Sequence, residues 1–334
     1  MNESFSKMLE RFFTSYIPLR RGLSKHTASS YSDSFLMLIR FMGSEKNLRP
    51  DQVTFDHINR EAVLEFCDWL ENVNGNTAST RNQRLTAIHA FFRYVQAEDP
   101  SKIEMCREIL SVQLKKTGQT PPKSISMDAV EHVLAVVETR TQMGIRDLAI
   151  LSLLYDSAAR VQELIDLSVG DVMAGKPASV RLTGKGGKIR IVPIMRPTAK
   201  ILENYIERHN LYVIGQPLFT NIRGRRLTRV GVNYILNKYV DRVKAIHPGM
   251  ISIAVTPHVL RHAKATHMLS AGINLFYIRD MLGHSSVITT EIYARSNPEF
   301  LEKAVSQAAL ATTPTVPEVT GKDALTELLK KFRC

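Results

Sequence analysis

Six side chains in the 334-residue chain have types that suit chemistry at a phosphodiester: Arg160, Lys185, His258, Arg261, His284 and Tyr293. A guanidinium fork bonds two phosphate oxygens and stays charged, so Arg160 and Arg261 suit a clamp on the non-bridging oxygens. Tyr293 supplies a phenol that can attack phosphorus and hold it covalently, while the lysine and histidines supply protons and further positive charge. A phenol ionises near pH 10, so the attack needs a base or strongly cationic surroundings, and the cluster offers both. The combination reads as exchange of phosphodiester bonds without a metal.

The residues around these six refine the reading. Glu163, three positions after Arg160, is placed to orient it or to form an ordinary surface ion pair. Lys185 stands at the tip of Gly184-Lys-Gly-Gly-Lys188, with Lys188 as a second and less favoured lysine. That string lacks the spacing of a phosphate-binding P-loop and joins two strands. Thr256-Pro257 suits an N-cap followed by proline in the first helical turn, which sets His258 and Arg261 on one face near a helix N-terminus that favours phosphate. His258 is then a candidate for moving a proton at Tyr293 or for bonding a phosphate oxygen. His258 and His262 are four apart, but no glutamate stands between them as in a zinc-binding H-E-x-x-H, so no metal is expected. His262 and His267 are expected to pack or hydrogen-bond inside their domain. Gly283 suits a helix C-cap that turns His284 outward. Tyr293 is preferred to Tyr277, which precedes His284 within a hydrophobic run, and to Tyr31, Tyr94, Tyr155 and Tyr234, which fall in helical apolar stripes.

The elements that must position these groups divide into two lobes. Residues 1–112 read as helices only: His26–Met42 carries Tyr31, Phe35, Leu38 and Phe41 at helical spacing, and Thr80–Val95 carries Leu85, Ile88, Phe92 and Val95. The other face of that second helix holds Arg81, Asn82, Arg84, Thr86 and His89 and is expected to meet phosphates, with Arg81 and Arg84 as contacts. Residues 113–124 are polar and basic and contain two prolines, so they read as a linker in which Lys115 and Lys116 also face DNA. Residues 125–310 read as the second domain: a helix from Ser126, a long helix near Gly144–Leu167, a hairpin over 179–194, and helices over Ile201–Arg208, Arg229–Val243, Pro257–Ala271, Leu275–Leu282 and around Tyr293. Residues 311–334 read as a flexible tail ending in a short amphipathic helix, which needs a docking partner to be stable. The fold class is mainly α with a small β-sheet in the second domain.

Composition agrees with a polyanionic partner: the net charge is +12 and the pI near 9.6. No stretch approaches the roughly 20 apolar residues of a spanning helix, and the first residues lack the pattern of a secretory signal. Three widely spaced cysteines, Cys67, Cys106 and Cys334, fit a reducing compartment, so a cytoplasmic, nucleoid-associated protein is expected.

The segments Ser157-Ala-Ala-Arg160-Val-Gln-Glu163-Leu, Thr183-Gly-Lys185-Gly-Gly-Lys188, Thr256-Pro-His258-Val-Leu-Arg261-His262, Leu282-Gly-His284-Ser-Ser and Tyr293 resemble the motifs of the tyrosine recombinases, the phage integrase family. The resemblance covers nearly the whole chain, with residues 1–112 similar to the family's helical core-binding domain. Any single motif is weak; five in the family's order, with nine positions from His284 to Tyr293, are specific. One departure is Ser157-Ala158, where the family usually has Thr-Gly. The resemblance implies a clamp on duplex DNA, a 3′-phosphotyrosine at Tyr293, Lys185 in the minor groove protonating the departing 5′ oxygen, and no cofactor. It also implies four protomers on two recombination sites, a Holliday junction, a C-terminal segment that packs on the neighbouring subunit, and accessory or sister recombinases. The chain starts almost directly at the core-binding helices, so a simple two-domain enzyme of a mobile element is expected, for integration or excision. The alternatives are a chromosome or plasmid dimer resolvase, a type IB topoisomerase, and a DNA-binding protein that retains the fold without catalysis.

Overall fold

A computed structural model describes residues 4–118, 122–295 and 329–331. The chain divides into two compact units, Met1–Gln119 and Thr120–Cys334. The expected tail and its docking helix lie outside the described residues apart from 329–331, which are helical.

The first unit is all helix: α1 (Phe5–Arg11), which runs into a π-helical stretch over Phe12–Arg20, then α2 (Lys25–Lys46), α3 (Arg60–Asn72), α4 (Ala78–Glu98) and α5 (Ile103–Leu110). Side chains of Ser24, Asn59 and Thr77 accept the orphan amide protons at the starts of α2, α3 and α4. The anticipated stripes close the core, with Phe35, Leu38 and Phe41 of α2 and Leu85, Ile88, Phe92 and Val95 of α4 all buried. Phe91 is the hub, set edge-to-face against Phe5, Phe12, Phe35 and Phe92 at centroid distances of 5.3–5.6 Å.

The outward face expected on α4 is only partly there. Arg81 is 3% exposed because it stands four residues before Leu85 and so shares the core-facing side. Its guanidinium donates to the Gln113 carbonyl at 2.9 Å and to Asn82 Oδ1 at 3.1 Å. Asn82 exchanges two hydrogen bonds with the Lys115 backbone, and the Lys115 ammonium pairs with Glu71. Residues 113–115 are therefore strapped to α4 rather than free as part of a tether. His89 is also buried, whereas Arg84 is half-buried and Lys116 exposed.

The second unit contains α6 (Met127–Ala135), α7 (Gln142–Asp156), α8 (Val161–Asp166), strands β1 (Val172–Met173), β2 (Ser179–Thr183) and β3 (Ile189–Pro193), then α9 (Arg196–Arg208), α10 (Arg229–Ile246), α11 (Pro257–Ser270), α12 (Leu275–Leu282) and α13 (Ile288–Arg295). The strands form one antiparallel sheet in the order β1-β2-β3. The long helix expected over 144–167 is in fact two. Ser157 Oγ bonds back to the Leu153 carbonyl at 2.6 Å and Ala158 takes a left-handed φ of +48°, which ends α7. Placing a non-glycine residue there costs about 1–2 kcal/mol, and its buried methyl regains about 0.8 kcal/mol, so Ala158 keeps a net cost of up to about 1 kcal/mol where a glycine would be unstrained. Arg160 then opens α8 in a capping box, its amide donating to Glu163 Oε2 at 2.8 Å.

Register, more than composition, decides where β3 points. Leu182 pairs with Arg190 and Val180 with Val192. Successive side chains alternate across a sheet, so Arg190 shares the inner face with Val192 while Ile189 and Ile191 point outward, each 62% exposed.

Candidate active site

The break between α7 and α8, the N-terminal turns of α11, the C-terminal end of α12 and helix α13 meet at one place. Arg261, only 2% exposed, ties three of them together: Nη1 donates to the Ala158 carbonyl and Nη2 to the Leu282 carbonyl, both at 2.6 Å. Its position follows from the helix start foreseen in the sequence, with Thr256 Oγ1 accepting the Val259 amide and Pro257 in the first turn. Burial draws the Arg261 pKa down to about 10, and the nearby Arg160 charge adds to the effect.

Glu163 is the carboxylate at the centre of the cationic cluster. It accepts from Arg160 Nη1 at 2.8 Å and, through both oxygens, from Arg190 at 2.9 and 2.7 Å. Burial alone would raise its pKa, but the Arg190 and Arg160 hydrogen bonds outweigh it and hold the group at about 2. Two guanidinium groups thus share one carboxylate, and with Arg261 nearby this leaves net positive charge in a mostly desolvated place. Arg160 Nη2 also reaches the Gly283 carbonyl at 3.4 Å, which brings the first arginine beside the turn that carries His284. Gly283 has φ +62°, the left-handed C-cap, and a Cβ there would lie 3.0 Å from Arg190 Nη1.

His284 Nδ1 lies 3.0 Å from Thr290 Oγ1, which links the α12 end to α13. Tyr293, on α13, is 1% exposed and packs with Ala158, Ala265, Leu269, Ile278 and Leu282. Its hydroxyl is 2.6 Å from His262 Nδ1, and the His262 ring stacks edge-on against His258 at 4.8 Å. Burial raises the phenol pKa, an effect that the Arg261 charge partly opposes. His262 is pushed down to about 4, by burial first and then by His258 and Arg261. The phenol is therefore protonated and the imidazole neutral at pH 7, and when the hydroxyl donates to Nδ1 the ring proton sits on Nε2. His284 is likewise drawn down to about 4 by burial, then by Arg261 and Arg160, and His258 is lowered by burial and the same two arginines.

The structure brings Arg160, Glu163, His258, Arg261, His284 and Tyr293 into one neighbourhood. Lys185 and Lys188 lie exposed in the β2–β3 turn, where the Gly184 amide donates to the Lys188 carbonyl at 2.7 Å. The chain touches the cluster at Gly184, whose added Cβ would be 3.2 Å from Glu163 Oε1. The group bonded to the phenol is His262, where the sequence suggested His258. His267 is internal: Nε2 meets the Ile125 carbonyl and Nδ1 meets the Tyr155 hydroxyl. Sequence reasoning missed Arg190 and Thr290, and it read His262 as packing or hydrogen-bonding inside its domain without naming the phenol as its partner. A signal for the first existed in strand parity, because Arg190 falls in phase with Val192.

Comparison with known proteins gives a consistent result. Residues 123–299 match the phage integrase family, and residues 9–99 match the phage integrase N-terminal SAM-like domain. An integrase/recombinase of Sinorhizobium fredii is 36% identical over 312 residues, 93% of this chain and 92% of the relative. The tyrosine recombinase XerC of Herpetosiphon aurantiacus is 33% identical over 315 residues, 93% of this chain and 96% of the relative. In fold, the chain resembles the XerH site-specific recombinase bound to its difH substrate, with a TM-score of 0.69 at 20% identity, over 86% of this chain and 81% of that one. It also resembles the Tn1549 transposon integrase in complex with transposon right-end DNA, with a TM-score of 0.69 at 16% identity, over 90% of this chain and 98% of that one.

Proposed function

The chain belongs to the phage integrase family of tyrosine recombinases, and we propose that it recombines DNA at specific sites through a covalent bond to Tyr293. The observation that carries this is the position of Arg261, which joins the Arg160 turn to the His284 turn beside the packed phenol. Arg160 and Arg261 compensate the non-bridging oxygens, with Glu163 holding Arg160 in place and His284 and His258 lining the same pocket. Tyr293 Oη forms a bond to phosphorus as the bond from phosphorus to O5′ breaks. The phenolic proton passes to His262 Nδ1, and O5′ takes a proton from Lys185. The ester is exchanged, not hydrolysed, so its energy is kept for rejoining and no nucleotide hydrolysis is needed.

DNA is the partner, bound by the first unit with Arg84, Lys115 and Lys116 and by Lys188 in the hairpin, with residues 113–124 as the linker between the two domains. Four protomers act on two sites through a Holliday junction, the tail from 311 packs on a neighbour, and an accessory or sister recombinase is a further partner. We place the reaction in the cytoplasm at the nucleoid. No helix among the described residues is long and apolar enough to cross a membrane. Mobile-element integration or excision is the favoured task; dimer resolution is the alternative, and the cleaved sequence distinguishes them.

The test is to incubate the purified protein with DNA fragments from its own genetic locus in EDTA and trap denaturant-resistant adducts. One adduct sequence, lost in Tyr293→Phe, is the expected result. Adducts scattered over many sequences would indicate strand passage by a topoisomerase, and tight binding with no adduct would indicate an accessory protein.

A further inference from the structure

Arg190 touches no predicted reacting atom, yet it is bonded to segments on which the site is built. Its guanidinium is largely buried and makes three short hydrogen bonds to two different segments: Nε to the Met281 carbonyl at 2.8 Å, and Nη1 and Nη2 to the two oxygens of Glu163. It also lies directly beneath Gly283, so close that a Cβ there would come within 3.2 Å of its Cδ and Cζ. One planar fork therefore joins β3, the start of α8 and the end of α12.

The hairpin tip has little else to hold it. Gly186 and Gly187 have φ of +74° and +75°, and no atom lies within 4 Å of where their Cβ atoms would be. Such a turn has the conformational freedom of glycine and no packing of its own. Its fixed points are the register of β2 with β3 and the approach of Gly184 to Glu163, the carboxylate that Arg190 also grips. Lys185 is the next residue after Gly184, so the grip on Glu163 sets where the lysine begins.

We propose that Arg190 is a positioning residue for strand exchange, which fixes the β2–β3 hairpin, and with it the Lys185 ammonium, against the Arg160 and His284 end of the site. The inference rests on the covalent-exchange reading given above. The direct bonds of Arg190 go to Glu163 and a carbonyl, so geometry is what distinguishes it from a bare positive charge. A lysine in its place would keep the charge and lose the bidentate geometry. Lys185 acts on the leaving oxygen, so loss of Arg190 is felt when P–O5′ breaks and O5′ must be protonated. Sulfur in place of the bridging O5′ leaves as a thiolate that needs no proton, which bypasses the contribution of Lys185.

The experiment uses the full chain, with the cleaved phosphate first mapped by wild type. Adduct formation is timed for wild type, Arg190→Gln, Arg190→Lys and Lys185→Ala on all-oxygen DNA and on DNA with a bridging 5′ sulfur at that position. On oxygen DNA, all three variants are expected to slow by about 10²-fold, the scale of a lost general acid. On sulfur DNA, all three should return to within about threefold of wild type, a recovery a merely unstable variant would not show. Equal losses on both DNAs for either Arg190 variant would overturn the proposal, as would wild-type speed for Arg190→Lys on oxygen DNA. A Lys185→Ala defect that sulfur fails to rescue would overturn it too. Absence of any adduct from wild type on either DNA is distinguishable from these, and would remove the exchange reading itself.

Discussion

The Tyr293 hydroxyl lies 2.6 Å from Nδ1 of His262, the residue immediately after Arg261 in α11. Consecutive residues on a helix point about 100° apart. This lets Arg261 reach inward to the Ala158 and Leu282 carbonyls while His262 turns to the phenol on α13. Helix α11 thereby addresses the proposed phosphate clamp and the proposed nucleophile with adjacent side chains.

If His262 receives the phenolic proton, His262→Leu slows adduct formation by about 10²- to 10⁴-fold with unchanged DNA affinity. His262→Asn, which keeps an acceptor, recovers part of that loss. Both variants stay slow on DNA with a bridging 5′ sulfur, because nucleophile activation precedes the leaving group's needs. Wild-type cleavage rates in His262→Leu would reduce this hydrogen bond to packing.

Acid should unfold the second unit in two stages. His262 and His284 have folded pKa values of about 4, below their ordinary 6.5, so the unfolded chain binds protons more readily. Their contribution is complete above pH 6.5 and is lost as pH falls towards 4. Glu163, at about 2 against an ordinary 4.5, contributes above pH 4.5 and loses that contribution as pH falls towards 2. Urea melts from pH 7 to 4 should show a fall of a few kcal/mol, smaller in His284→Gln. Stability that does not change over this range would contradict the buried, neutral state of the two histidines.

Arg261→Lys removes the fork that satisfies two backbone carbonyls inside the core. Hydrogen bonds from a charged donor contribute about 1.5–3 kcal/mol each, so a loss of about 2–4 kcal/mol is expected in denaturant melts even before cleavage is assayed. A loss under 1 kcal/mol would mean that the lysine finds both carbonyls.

Arg81 and Arg84, three residues apart on α4, should separate in DNA binding. Arg84→Gln and Lys116→Gln should each lower the slope of log K against log salt by about one, the signature of a lost phosphate contact. Arg81→Gln should leave the slope unchanged and instead speed amide exchange over 113–116, because its guanidinium holds the Gln113 carbonyl. A reduced slope for Arg81→Gln would return it to the DNA-facing set.

Much of this was legible in the residues. Helix starts at Thr77, Ser126 and Thr256 carry their caps in the sequence, and the apolar stripes of α2 and α4 follow the helical period. Gly283 announced the left-handed end of α12 before His284. The α7–α8 break was harder to see, because Ala158 takes a backbone conformation that its side chain does not advertise. Arg81 was misplaced because a basic residue on a helix reads as solvated, whereas here the chain at 113–115 folds back to cover it. His262 was read as an internal residue without its partner, because Tyr293 lies 31 residues away on another helix.

The outward isoleucines of β3 carry one further consequence. Shifting β3 by a single residue against β2 would bury Ile189 and Ile191 but expel Val192 and Ile194 along with Arg190, so apolar burial nearly cancels between the two registers. The strand's hydrophobicity therefore does not choose the pairing, whereas its ionic partner at Glu163 does. The same carboxylate that orients the cationic cluster also arbitrates between two folds of the hairpin. Selection for chemistry at this site therefore acts as selection on the register of the sheet.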